Sequence, residues 1–194
     1  FPMKFKLNAW KGTSYSNLKN PGLRSLGLSR FAVTFIDNHD TFNRSSYGNN
    51  EFLGPNTDLN AKRNTIIEAN AYLLMMPGVP CVFWPHWYTF RTEINRLIAL
   101  RKHVGIHSES VVSDETATTN SYSATITGHK GNAILRMGSA RDMTVPQGYV
   151  RAYKGDNFDI YTTNGTGVDD VTVEPATTKV LENGKCIFIK TNIA

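Results

Sequence analysis

Apolar residues follow two rhythms along this chain, and the change comes near Gly105. Before it, strand-like runs alternate with helical ones. Residues 32–36 are a β-branched and aromatic run ending at the polar Asp37 to Asp40, which predicts a strand. A Gly/Asn/Pro-rich loop follows over residues 43–58. In 59–76 the positions Ile66, Ile67, Ala69, Tyr72, Leu73 and Met76 recur at helical spacing, and Pro77-Gly78 ends that helix. Residues 79–84 predict a second short strand with Trp84 inside it, as core. Residues 92–103 predict a second helix with Ile94, Leu97, Ile98 and Arg101 on one face. Strands apolar on both faces and alternating with helices indicate parallel strands covered by helices.

After Gly105 the pattern becomes all-β from about residue 121. Residues 122–127 and 133–137 flank Gly128-His129-Lys130-Gly131, and 149–153 and 158–162 flank Gly155-Asp156; both read as hairpins. Asn183-Gly184 joins 178–181 to 186–190 in a third. Six or more strands in so short a stretch suggest an antiparallel sandwich. The expected organisation is an α/β portion over 1–104 and an all-β domain over 105–194.

Composition narrows the class. The chain has 194 residues, 40% hydrophobic and 19% charged, enough for a real core. No apolar run approaches the roughly 20 residues that span a bilayer, so no membrane role is expected. The formal charge of +5 comes from scattered Lys and Arg, which argues against a nucleic-acid partner. No signal peptide is visible at Phe1, which leaves the compartment open. Cys81 and Cys186 lie in strand-like apolar runs and are expected to be buried free thiols.

Candidate chemistry clusters at the predicted strand ends, where (β/α)8 barrels place their active sites. Asn38-His39-Asp40 follows the first strand and His86-Trp87-Tyr88 the second. Asp37 cannot share a site with Asp40 on a regular strand, since three residues reverse the facing, so it is expected to be a structural hydrogen-bonder. Glu68 is read as a solvated helix position and Glu93 as a favourable first-turn charge. A rival reading lets His39, Asp40 and His86 hold a metal such as zinc or non-haem iron.

These residues carry a resemblance. Phe35-x-x-Asn38-His39-Asp40-Thr41 resembles the fourth conserved region of glycoside hydrolase family 13, the α-amylase family, at the end of that family's seventh barrel strand. Residues 71–87, Ala-Tyr-Leu-Leu-Met-Met-Pro-Gly-Val-Pro-Cys-Val-Phe-Trp-Pro-His-Trp, look like its seventh helix and eighth strand. Phe1-Pro2-Met3-Lys4 looks like the segment after its sixth strand, and residues 105–194 look like its β-sandwich domain C. The resemblance implies the last strands and helices of a (β/α)8 barrel followed by that antiparallel β-sandwich domain.

It also implies retaining hydrolysis of α-1,4-glucan (starch or maltooligosaccharide) by the parent protein. Asp40 is then a catalytic carboxylate that accepts hydrogen bonds from ring hydroxyls of the sugar being cleaved, and His39 donates to the same sugar. Trp87 and Tyr88 are candidates to line the substrate, since an apolar ring face with a polar tip suits glucose. The family's nucleophilic Asp and acid/base Glu belong to strands that would precede Phe1, so the chain alone is expected to be inactive and to need the N-terminal half of the barrel as partner. No cofactor is assigned to this chain; structural calcium belongs to parts of the parent that would also precede Phe1. A secreted or periplasmic location is favoured over a cytoplasmic one. The alternative is a non-catalytic remnant that binds glucan or a partner.

Overall fold

The structure is a computed structural model and describes residues 14–38 and 58–163. The predicted loop after Asn38 and the hairpin around Asn183-Gly184 lie outside the described residues, as do His39, Asp40 and Cys186.

Three short 3₁₀ turns, Ser16–Leu18, Gly22–Leu26 and Ser29–Phe31, lead into β1 (Val33–Thr34). Next come α1 (Arg63–Met75), β2 (Val79–Pro80), α2 (Trp84–Thr89) and α3 (Arg91–Val104). β1 and β2 pair in parallel, Val33 opposite Val79 and Thr34 opposite Pro80. Backbone bonds from Val79 to the Ala32 carbonyl (2.8 Å) and from Cys81 to the Thr34 carbonyl (2.7 Å) hold the pair. Gly78 makes this approach feasible. Its φ is 109°, and a Cβ there would stand 3.1 Å from both the Ala32 carbonyl oxygen and Thr34 Cγ2.

α1 has no solvent face over most of its length, since every residue from Ile66 to Met75 is buried. Its spacing predicts a helix that is wet on one side, yet α3 and the β-sheet described below also pack on it. Its last carbonyls are capped from α3. Arg101 donates to the carbonyls of Leu74 (2.6 Å), Met76 (2.7 Å) and Gly78 (2.9 Å), supplying partners that a helix end otherwise lacks. Burial pulls the Arg101 guanidinium down to about 10, so it stays charged at neutral pH. α3 itself ends at Gly105 in the left-handed region, φ 74°. The Ile106 amide there reaches back to the Arg101 carbonyl, a helix stop that favours glycine.

The β half is one five-stranded antiparallel sheet among the described residues. Its strands are β3 (Val111–Ala117), β4 (Ser121–Thr127), β5 (Asn132–Gly138), β6 (Val150–Lys154) and β7 (Phe158–Thr162), in the order β3-β4-β5-β7-β6. Register places Tyr122 opposite Met137, Ala124 opposite Leu135, and Leu135 opposite Ile160. One face therefore carries a continuous apolar layer, which joins α1 and α3 in a single core. Tyr72 of α1 meets Tyr122 of β4 edge to face, with ring centroids 5.3 Å apart.

Four sequence expectations change here. β3 was not anticipated. Its Ser113-Asp114-Glu115-Thr116 centre alternates poorly, because a register shift between Ser113 and Thr116 and a positive φ at Asp114 break the period-two pattern. Residues 79–84 do not form one strand; α2 begins at Trp84, with Pro85 in its first turn, so Trp84 leaves the sheet and is 58% exposed. Cys81 is an exposed free thiol. Glu68, expected in solvent, is 4% exposed, because the sheet covers the side of α1 on which it stands.

Candidate functional site

The C-terminal ends of β1 and β2 lie side by side because the strands are parallel, so whatever follows each strand meets its counterpart. After β1 the chain buries Ile36 and Asp37; after β2 it enters α2. Asp37 Oδ1 accepts from the Asn38 amide at 3.0 Å. Its Oδ2 lies 4.0 Å from Nε2 of His86, which is 0% exposed. Phe83 meets the same imidazole edge to face at 5.2 Å. Neither ring nitrogen of His86 has a hydrogen-bond partner among the described residues. Burial lowers its pKa to about 4, with the nearby Asp37 carboxylate pulling the other way, so the ring is neutral at pH 7. His86 therefore fastens the inner side of α2 against the segment that leads from β1 to His39 and Asp40.

The outer side of α2 is aromatic. Trp84, Trp87 and Tyr88 stand at i, i+3 and i+4, the spacing that puts side chains on one helix face. Trp84 lies 5.0 Å from Trp87 and 6.1 Å from Tyr88 between ring centroids, with planes tilted by 35° and 33°. Trp87 is locked in place from α3: its indole N–H donates to Asn95 Oδ1 at 2.8 Å, and the Arg91 guanidinium sits 4.3 Å from the ring centroid.

Of the sequence candidates, the structure brings Trp87 and Tyr88 together on α2; His39 and Asp40 lie outside the described residues. Sequence reasoning missed two features. The Asp37–His86 pair joins two distant stretches of chain and is visible only once the strands are paired. Trp84 escaped because its apolar neighbours read as strand. Other carboxyl groups are engaged elsewhere. Glu68 accepts from the Tyr15 hydroxyl (2.8 Å) and from the Asn157 amide (3.1 Å to each oxygen), and Glu93 forms an ion pair with Arg63. Among the described residues no group of three or more His, Cys, Asp or Glu side chains is placed to hold a metal; the rival set His39, Asp40 and His86 has two of its three members outside the described residues.

Comparison with known proteins decides the family. No family model matches the chain. The α-amylase type B isozyme of Hordeum vulgare is 31% identical over 134 residues, which cover 67% of this chain and 78% of that relative. The chain belongs to the α-amylase family. A probable α-amylase 2 of Arabidopsis thaliana is 38% identical over 137 residues, and a glucan 1,4-α-maltotetraohydrolase of Stutzerimonas stutzeri 33% over 110. The chain spans 30% and 19% of the length of those two α-amylase-family relatives.

Solved structures show the same amylase-family fold. The AmyP complex with maltose superposes with a TM-score of 0.62 at 10% identity, over 86% of this chain and 50% of that one. An Anoxybacillus α-amylase gives 0.56 at 15% identity, over 82% and 45%.

Proposed function

We propose that this chain is the C-terminal part of a retaining α-1,4-glucan hydrolase, comprising the last two strands and helices of its (β/α)8 barrel, up to about residue 104, and its domain C. The observation that carries this reading is the match to the Hordeum vulgare α-amylase, combined with a parallel β1–β2 pair whose C-terminal ends open on the same side. In this reading Asp40 accepts hydrogen bonds from hydroxyls of the sugar being cleaved, and those bonds strengthen as the oxocarbenium-like transition state forms. His39 donates to the same sugar. Trp87 and Tyr88 line the path of the chain.

Bond cleavage itself needs two carboxyl groups about 5 to 5.5 Å apart in a retaining enzyme. Asp37 faces His86, Glu68 faces Tyr15 and Asn157, and Glu93 pairs with Arg63, which supports a nucleophile and an acid supplied by barrel strands that would precede Phe1. Parent calcium is assigned to those same segments, and the parent to a secreted or periplasmic location.

The test compares wild type with Asp40→Asn in a polypeptide that joins this chain to a family barrel segment carrying the nucleophile and acid. Asp40→Asn should lower kcat on maltoheptaose by at least about a hundredfold, as loss of an interaction made in the transition state does. Unchanged turnover would remove Asp40 from the site. Reducing sugar released from starch by the 194-residue chain alone would show that the bond-breaking carboxylates lie within it.

A further inference from the structure

The turn between β4 and β5 is seated on the last turn of α3. The amides of His129 and Lys130 donate to the carbonyls of Gly105 and Val104, each at 3.0 Å, and so supply partners to a helix end that lacks them. Gly128 permits this approach, since a Cβ there would stand 2.2 Å from the Val104 carbonyl oxygen. Beside these bonds the imidazoles of His107 and His129 stack face to face, with centroids 4.0 Å apart and planes inclined by 4°. His107 is neutral in this arrangement. The Glu109 amide donates to its Nδ1 at 3.3 Å, which requires a lone pair that a protonated ring does not have.

From this geometry we infer that the His107–His129 pair is an acid-sensitive latch: neutral rings hold the β4–β5 turn on the end of α3, and charging them releases it. Histidine is the side chain that changes charge between pH 5 and 8. A proton on His107 removes the lone pair that the Glu109 amide uses, and charge on both rings sets two cations face to face at 4.0 Å. The surroundings among the described residues give little relief. Arg101, Lys102 and His103 stand in the last turn of α3 and Lys130 on the turn itself, whereas Glu109 is the one carboxylate on these elements and pairs with Arg30 at 3.7 Å. The negative end of the α3 dipole attracts cations, a pull that the three basic residues of its last turn already meet. Elsewhere the sheet is held on α1 and α3 through the shared apolar core, so release is confined to residues 128–131.

Amide hydrogen exchange of the 194-residue chain, followed by NMR and corrected for the chemical rate of unprotected amides, tests this. Protection of the His129 and Lys130 amides should fall about tenfold or more between roughly pH 8 and pH 5, the scale of one hydrogen bond's net stabilisation, while the β5 amides keep theirs. His129→Phe retains a flat ring on His107 but not the second charge, and should keep most of the protection at the acid end. His129→Gln has neither ring nor charge; its protection should start lower than wild type and respond little to pH. Wild-type protection that does not change with pH overturns the latch, as it would if the Glu109 carboxylate swung over to a charged His107. An equal acid loss in wild type and both variants overturns it too, and so does a parallel loss across β5, which would assign the response to the whole sheet.

Discussion

Two buried polar sites in this molecule are built on opposite plans. At the junction between α1 and the sheet, Glu68 is surrounded by donors: the Tyr15 hydroxyl at 2.8 Å and the Asn157 amide at 3.1 Å from each oxygen, with Asn157 also donating to Tyr15 at 2.6 Å. These join three distant stretches of chain. At the strand ends, His86 is wholly buried beside Asp37 with neither nitrogen bonded among the described residues. A satisfied buried polar group is a structural rivet, whereas an unsatisfied one must be tolerated by packing. The difference teaches that burial alone does not say whether a polar residue is needed for stability.

The sharpest way to break the comparison is to make both sites apolar. Glu68→Leu takes from the Tyr15 hydroxyl and the Asn157 amide the carboxylate both donate to, while Asn157 still donates to the Tyr15 oxygen. A loss of about 2 kcal/mol near pH 5 is expected from urea unfolding, the scale of one lost buried acceptor. His86→Phe replaces one flat ring with another and orphans no hydrogen bond, so near pH 7 its cost should stay below about 1.5 kcal/mol. Equal losses at the two positions would show that the hydrogen bonds around Glu68 contribute nothing beyond packing.

Acid and base responses should also run in opposite directions. Burial raises Glu68 from its ordinary 4.5 to about 7, with the Tyr15 and Asn157 hydrogen bonds pulling it back. The folded chain therefore holds a proton there that the unfolded chain releases, and this contribution, full below about pH 4.5, is lost as pH rises through 7. His86 is lowered from 6.5 to about 4, so its contribution is full above pH 6.5 and is lost as pH falls toward 4. Each swing is on the order of 3 kcal/mol, a tenfold change in proton affinity being worth about 1.4 kcal/mol. Between pH 4.5 and 6.5 the two offset each other. Removing one should expose the other. Glu68→Gln should leave a chain that weakens on acidification through this window, and His86→Phe one that weakens toward neutrality. Parallel pH profiles of unfolding free energy in the two variants would contradict both assignments.

How much of this was legible beforehand depends on distance along the chain. Local signals carried α1, α3, the β4–β5 and β6–β7 hairpins and the parallel pairing, because helical spacing, Pro77-Gly78 and glycine turns act within a few residues. The aromatic pair Trp87 and Tyr88 was legible for the same reason. What failed depended on tertiary surroundings. Glu68 looked solvated because nothing in α1 announces that Asn157, 89 residues on, will cover it. Trp84 looked buried because an apolar neighbourhood says strand until Pro85 turns it into a helix start. β3 was hidden by its own irregularity.

The smallest expected effect concerns the link between α3 and the aromatic residues of α2. Trp87 joins the two, since its ring centroid lies 5.0 Å from that of Trp84 and its indole N–H is held by Asn95 of α3. Asn95→Ala removes an acceptor but no buried apolar surface, so about 1 kcal/mol of stability should be lost, the ordinary net value of one hydrogen bond. If Trp87 is preorganised, that loss should be accompanied by a drop of a few-fold in maltoheptaose affinity, because its ring must then be ordered at the moment of binding. A stability loss with affinity unchanged would mean that α2 and Arg91 fix the ring without Asn95, and the brace would then belong to the fold rather than to recognition.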